Sequence, residues 1–239
     1  KLNNMKKVKK NKLYQSLQND IKEQFAYLFV GHWISIGAPI GEDRKNVGLL
    51  IKSFFETFKN KKSKPALILK TSMVGSSYMD RDVILKKINE IKKTVKSTDL
   101  PNIYLLHGEF SDPEMNEIYN HPKVKAMLSL TRGEGYGRPL LEFTLSKKPV
   151  IATNWSGHLD FLNPEFTTLL GGTLTQIHPS AANQWLLKEA MWFSPNTEQV
   201  GFTLQNVFEN YKDYVDGGKR QGYYSKTNFN SEKMTEKLG

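Results

Sequence analysis

The sequence predicts an α/β fold built on a doubly wound, mostly parallel, Rossmann-like sheet. Three observations carry this. Apolar runs of strand length recur at 25–30, 66–70, 103–107, 125–130 and 149–153. The segments between them place apolar residues at helical spacing. Strand and helix therefore alternate about five times, and parallel strands need just such long helical crossovers.

The elements follow in order. Residues 1–24 are polar and lysine-rich, with a sparse helical pattern (Leu13, Leu17, Ile21), and read as a basic linker or peripheral helix outside the core. After the strand at 25–30 and Gly31 comes a long loop, 32–46, with the charged cluster Glu42, Asp43, Arg44, Lys45. A helix at 47–59 presents Leu50, Phe54, Phe55 and Phe58 on one face. The second strand leads through a Ser/Gly loop to a helix expected from 81 to about 97, with Asp80 as its N-cap and Val83, Ile84, Ile88, Ile91 and Val95 inward. The third strand closes at Gly108, and Pro113 marks the start of a short helix that Pro122 cannot continue. The fourth strand runs into a glycine-rich turn and a helix at 139–146. A fifth strand, a short helix at 158–162 and a last strand at 166–170 complete a domain expected over 25–195. Beyond Gly172 the strand signals stop. Helices are expected at 182–191 and 197–211, with an aromatic turn at 192–195, and residues 196–239 form C-terminal helices on or beyond the domain.

Composition excludes several classes. With 239 residues, 38% hydrophobic and 11% aromatic, the chain has enough apolar material for a large α/β core and is not a disordered one. No apolar run approaches the roughly 18–20 residues of a membrane span, and no cleavable signal pattern is visible. There are no cysteines, which excludes disulfides, thiolate chemistry and cysteine-ligated zinc and permits a reducing cytoplasm, the expected location. The net charge of +10 comes from lysines concentrated at 1–12, 59–64 and 86–96. Such charge suits solvated helix faces and is compatible with a peripheral contact to an acidic membrane surface. No nucleic-acid-binding signature accompanies it, so no nucleic acid partner is expected.

The chemistry concentrates in one stretch, Leu130-Thr131-Arg132-Gly133-Glu134-Gly135-Tyr136-Gly137-Arg138-Pro139-Leu140-Leu141-Glu142. Three glycines between a strand and a helix let backbone amides approach a ligand, and a helix start favours phosphate. Carboxylates repel phosphate but accept two hydrogen bonds from a vicinal diol. Glu134 and Glu142 therefore suit a ligand with hydroxyl groups on either side of its phosphates, which is the chemistry of a nucleotide-sugar. Ligands of open α/β sheets bind beyond the carboxyl ends of the strands. On that edge the 32–46 loop offers His32, Arg44 and Lys45, cations that would neutralise a departing diphosphate without a metal. His32 and His158 also read as polar loop residues, and Trp155 as a packing residue.

Gly133-Glu134-Gly135-Tyr136-Gly137-Arg138-Pro139-Leu140-Leu141-Glu142, followed by Lys148-Pro149-Val150-Ile151-Ala152-Thr153, resembles the donor-binding hallmark of the retaining group 1 glycosyltransferases of the GT-B fold. Their Glu-x7-Glu motif falls on Glu134 and Glu142, and Lys45 matches the family lysine. His32 stands where an arginine is usual, with Arg44 the other source of the second cation. The resemblance runs from about residue 25 to 170, and more loosely to 211. It implies a nucleoside-diphosphate sugar donor, transfer with retention of configuration, and no cofactor and no metal. Glu134, Lys45 and Arg44 are the implied catalytic residues. His32, Gly133, Gly135, Tyr136, Gly137, Arg138, Pro139, Leu140 and Glu142 are the implied donor-binding ones, with Glu134 on the sugar and Glu142 on the ribose.

Enzymes of this family have two Rossmann-like domains, whereas this chain has strands for one. The chain is therefore expected to be the C-terminal, donor-binding half, poorly active alone, with an N-terminal acceptor-binding domain as partner and an acceptor the sequence does not name. Two alternatives stand beside a UDP-, GDP- or ADP-sugar transferase. One is a non-catalytic nucleotide-sugar-binding module. The other is a GT-B sugar-nucleotide epimerase, which would need an acid/base pair that the sequence does not clearly show.

Overall fold

The computed structural model describes residues 12–73, 77–177, 189–230, 232, 233 and 235. Six parallel strands form one sheet: β1 (Ala26–His32), β2 (Ala66–Ser72), β3 (Ile103–Leu106), β4 (Val124–Ser129), β5 (Val150–Thr153) and β6 (Thr168–Leu170). Their order across the sheet is β3-β2-β1-β4-β5-β6. The chain winds outward from β1 to β3, returns to pair β4 with the free side of β1, and winds outward again. The expected doubly wound parallel fold is the one observed. The reversal between β1 and β4 leaves a crevice at their carboxyl ends, where sheets of this kind take ligands.

Side chains alternate between the two faces of each strand. Tyr27 and Phe29 of β1, Leu67 and Leu69 of β2, and Leu128 of β4 point into one core with α2 (Val47–Phe58), α3 (Tyr78–Thr94) and α6 (Thr197–Glu209). Leu28, Ile68, Met127 and Val150 point into the other, with α1 (Lys12–Asp20), α4 (Asp112–Asn120) and α5 (Arg138–Thr144). Burial on both faces explains why these strands read as unbroken apolar runs instead of alternating ones. Tyr27 is fully buried, and its hydroxyl donates to Leu204 O at 2.6 Å, tying α6 to the central strand.

Several expectations change. Leu17 and Ile21 are buried in the second core, so the segment expected to lie outside it contributes to it; residues 1–11 lie outside the described residues. Helix α3 starts at Tyr78, and its N-cap is Ser77, whose hydroxyl accepts from Asp80 N at 3.1 Å. Asp80 is its reciprocal partner in a capping box, accepting from Ser77 N. Strands do continue past Gly172: β7 (Gly172–Gln176) and β8 (Met191–Pro195) make an antiparallel pair. The expected 192–195 turn is thus a strand, as is the end of the expected 182–191 helix, most of which falls outside the described residues. Of the two arrangements expected for the C-terminal helices, α7 (Tyr211–Asn228) packs on the domain, with Gly218, Gln221, Gly222 and Ser225 buried. Its glycines allow this: a Cβ at Gly218 would lie 2.6 Å from the Lys148 carbonyl carbon. Among the described residues no helix is long and apolar enough to cross a membrane.

At the amino ends of β4 and β5, lysines close two helices. Lys123 Nζ donates to the Gln18 carbonyl in the last turn of α1 and to the Ile21 carbonyl just beyond it, and Lys148 Nζ donates to Tyr119 O and His121 O at 2.7 and 2.8 Å. His121 lies fully buried between them. Desolvation, then the charges of Lys148 and Lys123, push its imidazole down to about 4 from an ordinary 6.5. The unfolded chain thus takes up this proton first, and the stability this histidine contributes is complete above pH 6.5 and lost as pH falls towards 4. Thermal unfolding measured across that window should show the midpoint falling with pH in the wild type, and falling less in His121→Asn. Parallel curves for the two proteins would place the acid sensitivity elsewhere.

Candidate active site at the sheet switch point

The loops that leave β1 and β4 meet at the crevice. Asp43 is buried, and its carboxylate accepts from Val47 N at 3.1 Å and Gly48 N at 3.5 Å, capping α2. Burial pushes its carboxyl upward, and these amide hydrogen bonds oppose the shift. Asn46 follows in the left-handed region (φ 57°), which turns the chain sharply into the helix. Between these two fixed points Arg44 and Lys45 are carried toward β4. The Arg44 carbonyl accepts from Arg132 N at 2.9 Å, so the two loops are joined through their main chains.

Lys45 Nζ is ion-paired with Glu134 Oε1. Arg44 lies 3.6 Å from the other Glu134 oxygen and donates to Gly133 O at 2.9 Å. The Lys45 and Glu134 side chains are 15% and 10% exposed, while Arg44 is 48% exposed. The crevice thus holds one carboxylate between two cations, one sheltered and one open to solvent. The expected catalytic trio is brought together across 89 residues of sequence.

The other expected residues divide. Gly137 has φ +85° and starts α5, so there the glycine is required. A Cβ at Gly135 would meet nothing within 4 Å, and one at Gly133 only Ser156 Oγ at 3.9 Å. Neither is demanded by crowding in the protein itself. Tyr136 packs on Phe161 (centroids 5.3 Å), Pro139 occupies the first turn of α5, and Leu140 is buried. These three support the turn from below. Glu142 accepts from Arg138 Nε at 2.6 Å and from Tyr119 OH at 3.3 Å, and burial and this carboxylate push the Tyr119 phenol up. His32 ends β1 with Nδ1 3.1 Å from Ser72 Oγ, so its ring engages β2 and not Glu134. Arg44 is therefore the second cation at the carboxylate.

Other residues build the site without having announced themselves. Ser156 and Gly157, after β5, hold the Glu134 main chain. Thr153 Oγ1 donates to Thr131 O at 2.7 Å. Arg132 is buried, donates to Ser194 Oγ at 3.0 Å and lies over the Trp192 ring. Phe193 N donates to Arg132 O at 3.2 Å, so the β7–β8 pair braces the glycine turn. Trp155 does pack, stacked on Phe193 with 7° between the rings, yet remains 40% exposed. His158, read as a loop residue, is fully buried, with Nε2 donating to Thr153 O at 2.7 Å; burial lowers its imidazole. The large surface groove between α2 and α6, lined by Lys52, Glu56, Thr57, Gly201 and Gln205, holds none of these residues.

A parallel sheet in this strand order, with cations and a carboxylate at its switch point, belongs to the doubly wound Rossmann-like class, which takes ligands at that point. Residues 18–189 match the family model of the group 1 glycosyl transferases, and the chain belongs to that family. No curated protein sequence matches it. Among solved structures it is similar to the C-terminal domain of a group 1 family glycosyl transferase, LpcC, from Francisella tularensis (15% identity, TM-score 0.62, 93% of this chain and 95% of that one). It is also similar to a sucrose-phosphate synthase from Thermosynechococcus elongatus (16%, TM-score 0.62, 94% and 46%). A third is HepE from Anabaena, solved in complex with UDP-glucose (11%, TM-score 0.62, 94% and 51%). At these identities the likeness is one of fold. The chain spans nearly all of the first and about half of the other two.

Proposed function

We propose that this chain is the donor-binding half of a glycosyltransferase that moves a sugar from a nucleoside-diphosphate sugar to an acceptor with retention of anomeric configuration. The observation that carries the reading is the Arg44–Lys45–Glu134 cluster at the switch point. Lys45 and Arg44 take the diphosphate. Their charge balances what builds on the leaving group as the glycosidic bond breaks, in the electrostatic manner that needs no proton transfer. Glu134 then exchanges part of its cation contact for hydroxyl groups of the sugar. Glu142, now shared by Arg138 and Tyr119, lies one helical turn further and takes the ribose diol. The UDP-glucose complex of HepE and the family membership support a nucleotide-sugar ligand. The half-length match to two of the similar structures supports a second domain that brings the acceptor. Metal independence is part of this proposal, since two cations already face the leaving group.

The test is a thermal-shift panel with UDP, GDP and ADP, each free and as its hexose conjugates, on the wild type and Glu142→Ala. One nucleotide series should stabilise the wild type. Glu142→Ala should weaken that binding about 10–100-fold, the worth of a charged hydrogen bond. It should lower the ligand-free midpoint by only about 2–4 °C, because its ion pair with Arg138 is exposed and the Tyr119 hydroxyl loses one hydrogen bond. No stabilisation by any of the nucleotides would overturn the donor reading.

A further inference from the structure

The Glu134 main chain is gripped by two consecutive residues from the β5 loop. Glu134 N donates to Ser156 Oγ at 2.9 Å, Ser156 Oγ donates to Glu134 O at 2.7 Å, and Gly157 N donates to the same carbonyl at 3.0 Å. One hydroxyl thus closes a two-bond ring on the main chain of a single residue, as donor and acceptor together. The backbone that allows this is costly. Ser156 has φ 85° and ψ −171°, a region essentially reserved for glycine. Strain of this kind persists only where the surroundings over-determine it, and here they do. Asn154 N donates to Leu170 O at 2.9 Å, Leu159 N to Ser156 O at 3.0 Å, and His158 closes onto Thr153. A serine in a glycine's conformation is explained by its hydroxyl, and that hydroxyl serves the Glu134 main chain.

We propose that Ser156 is a positioning residue, whose strained clasp on Glu134 holds that carboxylate against Lys45 and Arg44 where the donor sugar is read. The role rests on the donor reading above. It separates two parts of the ligand: the diphosphate meets the cations, while the sugar meets the carboxylate that Ser156 holds. Loss of the clasp therefore weakens sugar recognition more than diphosphate binding.

Two variants of this chain test it. Ser156→Ala keeps the strain and loses the hydroxyl, whereas Ser156→Gly loses both. Amide hydrogen exchange at Glu134 should accelerate about tenfold in each, the worth of one hydrogen bond. Ser156→Gly should melt above Ser156→Ala, since glycine relieves the left-handed strain; the reverse order would show that no strain is stored there. In titrations with the nucleoside diphosphate that binds the wild type, both variants should match the wild type within about twofold. With its hexose conjugates they should bind about tenfold more weakly, as expected when a reading group is no longer held in place. Equal weakening of both ligands, or an unchanged Glu134 amide, would overturn the proposal. A wild type that binds none of UDP, GDP, ADP and their hexose conjugates would overturn the donor reading and this role with it, while the Glu134 amide rate still decides whether the clasp exists.

Discussion

Replacing Gly157 by alanine should lower the melting temperature and abolish nucleotide binding together. A Cβ at this position would stand 2.0 Å from the Gly135 carbonyl oxygen, 2.7 Å from its carbon and 2.9 Å from the Glu134 oxygen. All three are backbone atoms, so no side chain can swing aside. The Gly157 backbone lies outside the left-handed region and suits alanine, which makes crowding the whole effect. Overpacking of this kind costs about 3 kcal/mol. For a chain of this size that is roughly 6–12 °C in the melting temperature. The whole glycine turn must move off the β5 loop, so the backbone amides expected to seat the phosphates are displaced together with the Glu134 carbonyl. Thermal unfolding and nucleotide titration of Gly157→Ala check both parts. A wild-type midpoint would mean that the Gly135 carbonyl does not press on residue 157.

Lys45→Met has the second large effect, and a double variant separates its two components. Removing the ammonium leaves the Glu134 carboxylate, only 10% exposed, with the more distant and solvent-exposed Arg44 as its cation. Stranding a largely buried charge costs more than the intact pair contributes, here about 2 kcal/mol. Adding Glu134→Gln removes the stranded charge, so Lys45→Met/Glu134→Gln should recover most of the lost stability. Binding should not recover. The diphosphate loses its sheltered cation in both variants, and nucleotide affinity should stay about 10–100-fold below wild type, the range of a charge-assisted hydrogen bond. Denaturant unfolding beside titration decides it. A double variant that binds nucleotide like the wild type would show that Lys45 merely neutralises Glu134.

Much of the site was legible because its signals are local. Glu134, the three glycines, Pro139 and Glu142 lie within ten consecutive residues, and strand, turn and helix follow from apolar period and turn chemistry. Lys45 was legible through its place in the loop that leaves β1 and through its match to the family lysine, since one lysine among so many carries little signal of its own. Ser156 was hidden for a different reason. A serine in a Ser-Gly turn looks like ordinary loop chemistry, and only its φ and its hydrogen bonds show that it holds another loop. The β7–β8 pair was missed because Gly172–Gln176 is mostly exposed, with no apolar run to mark it. Asp80 was mistaken for a cap through a shift of three residues, since Ser77 and Asp80 both have side chains suited to that position.

By itself the sequence determined the α/β class, the order of strands and helices as far as Leu170, and the spacing of two carboxylates around a glycine turn. Each of these depends on neighbours two to eight residues apart. The tertiary structure alone decided that β4 pairs with the free side of β1, and therefore that the 32–46 loop meets the glycine turn. It also decided that Arg44, not His32, stands at the carboxylate, and that Ser156 and Gly157 hold that carboxylate's main chain. The physical reason is range: helix and strand periods are set by local geometry, while a strand's partner and a loop's neighbour are chosen by packing both faces of a whole sheet.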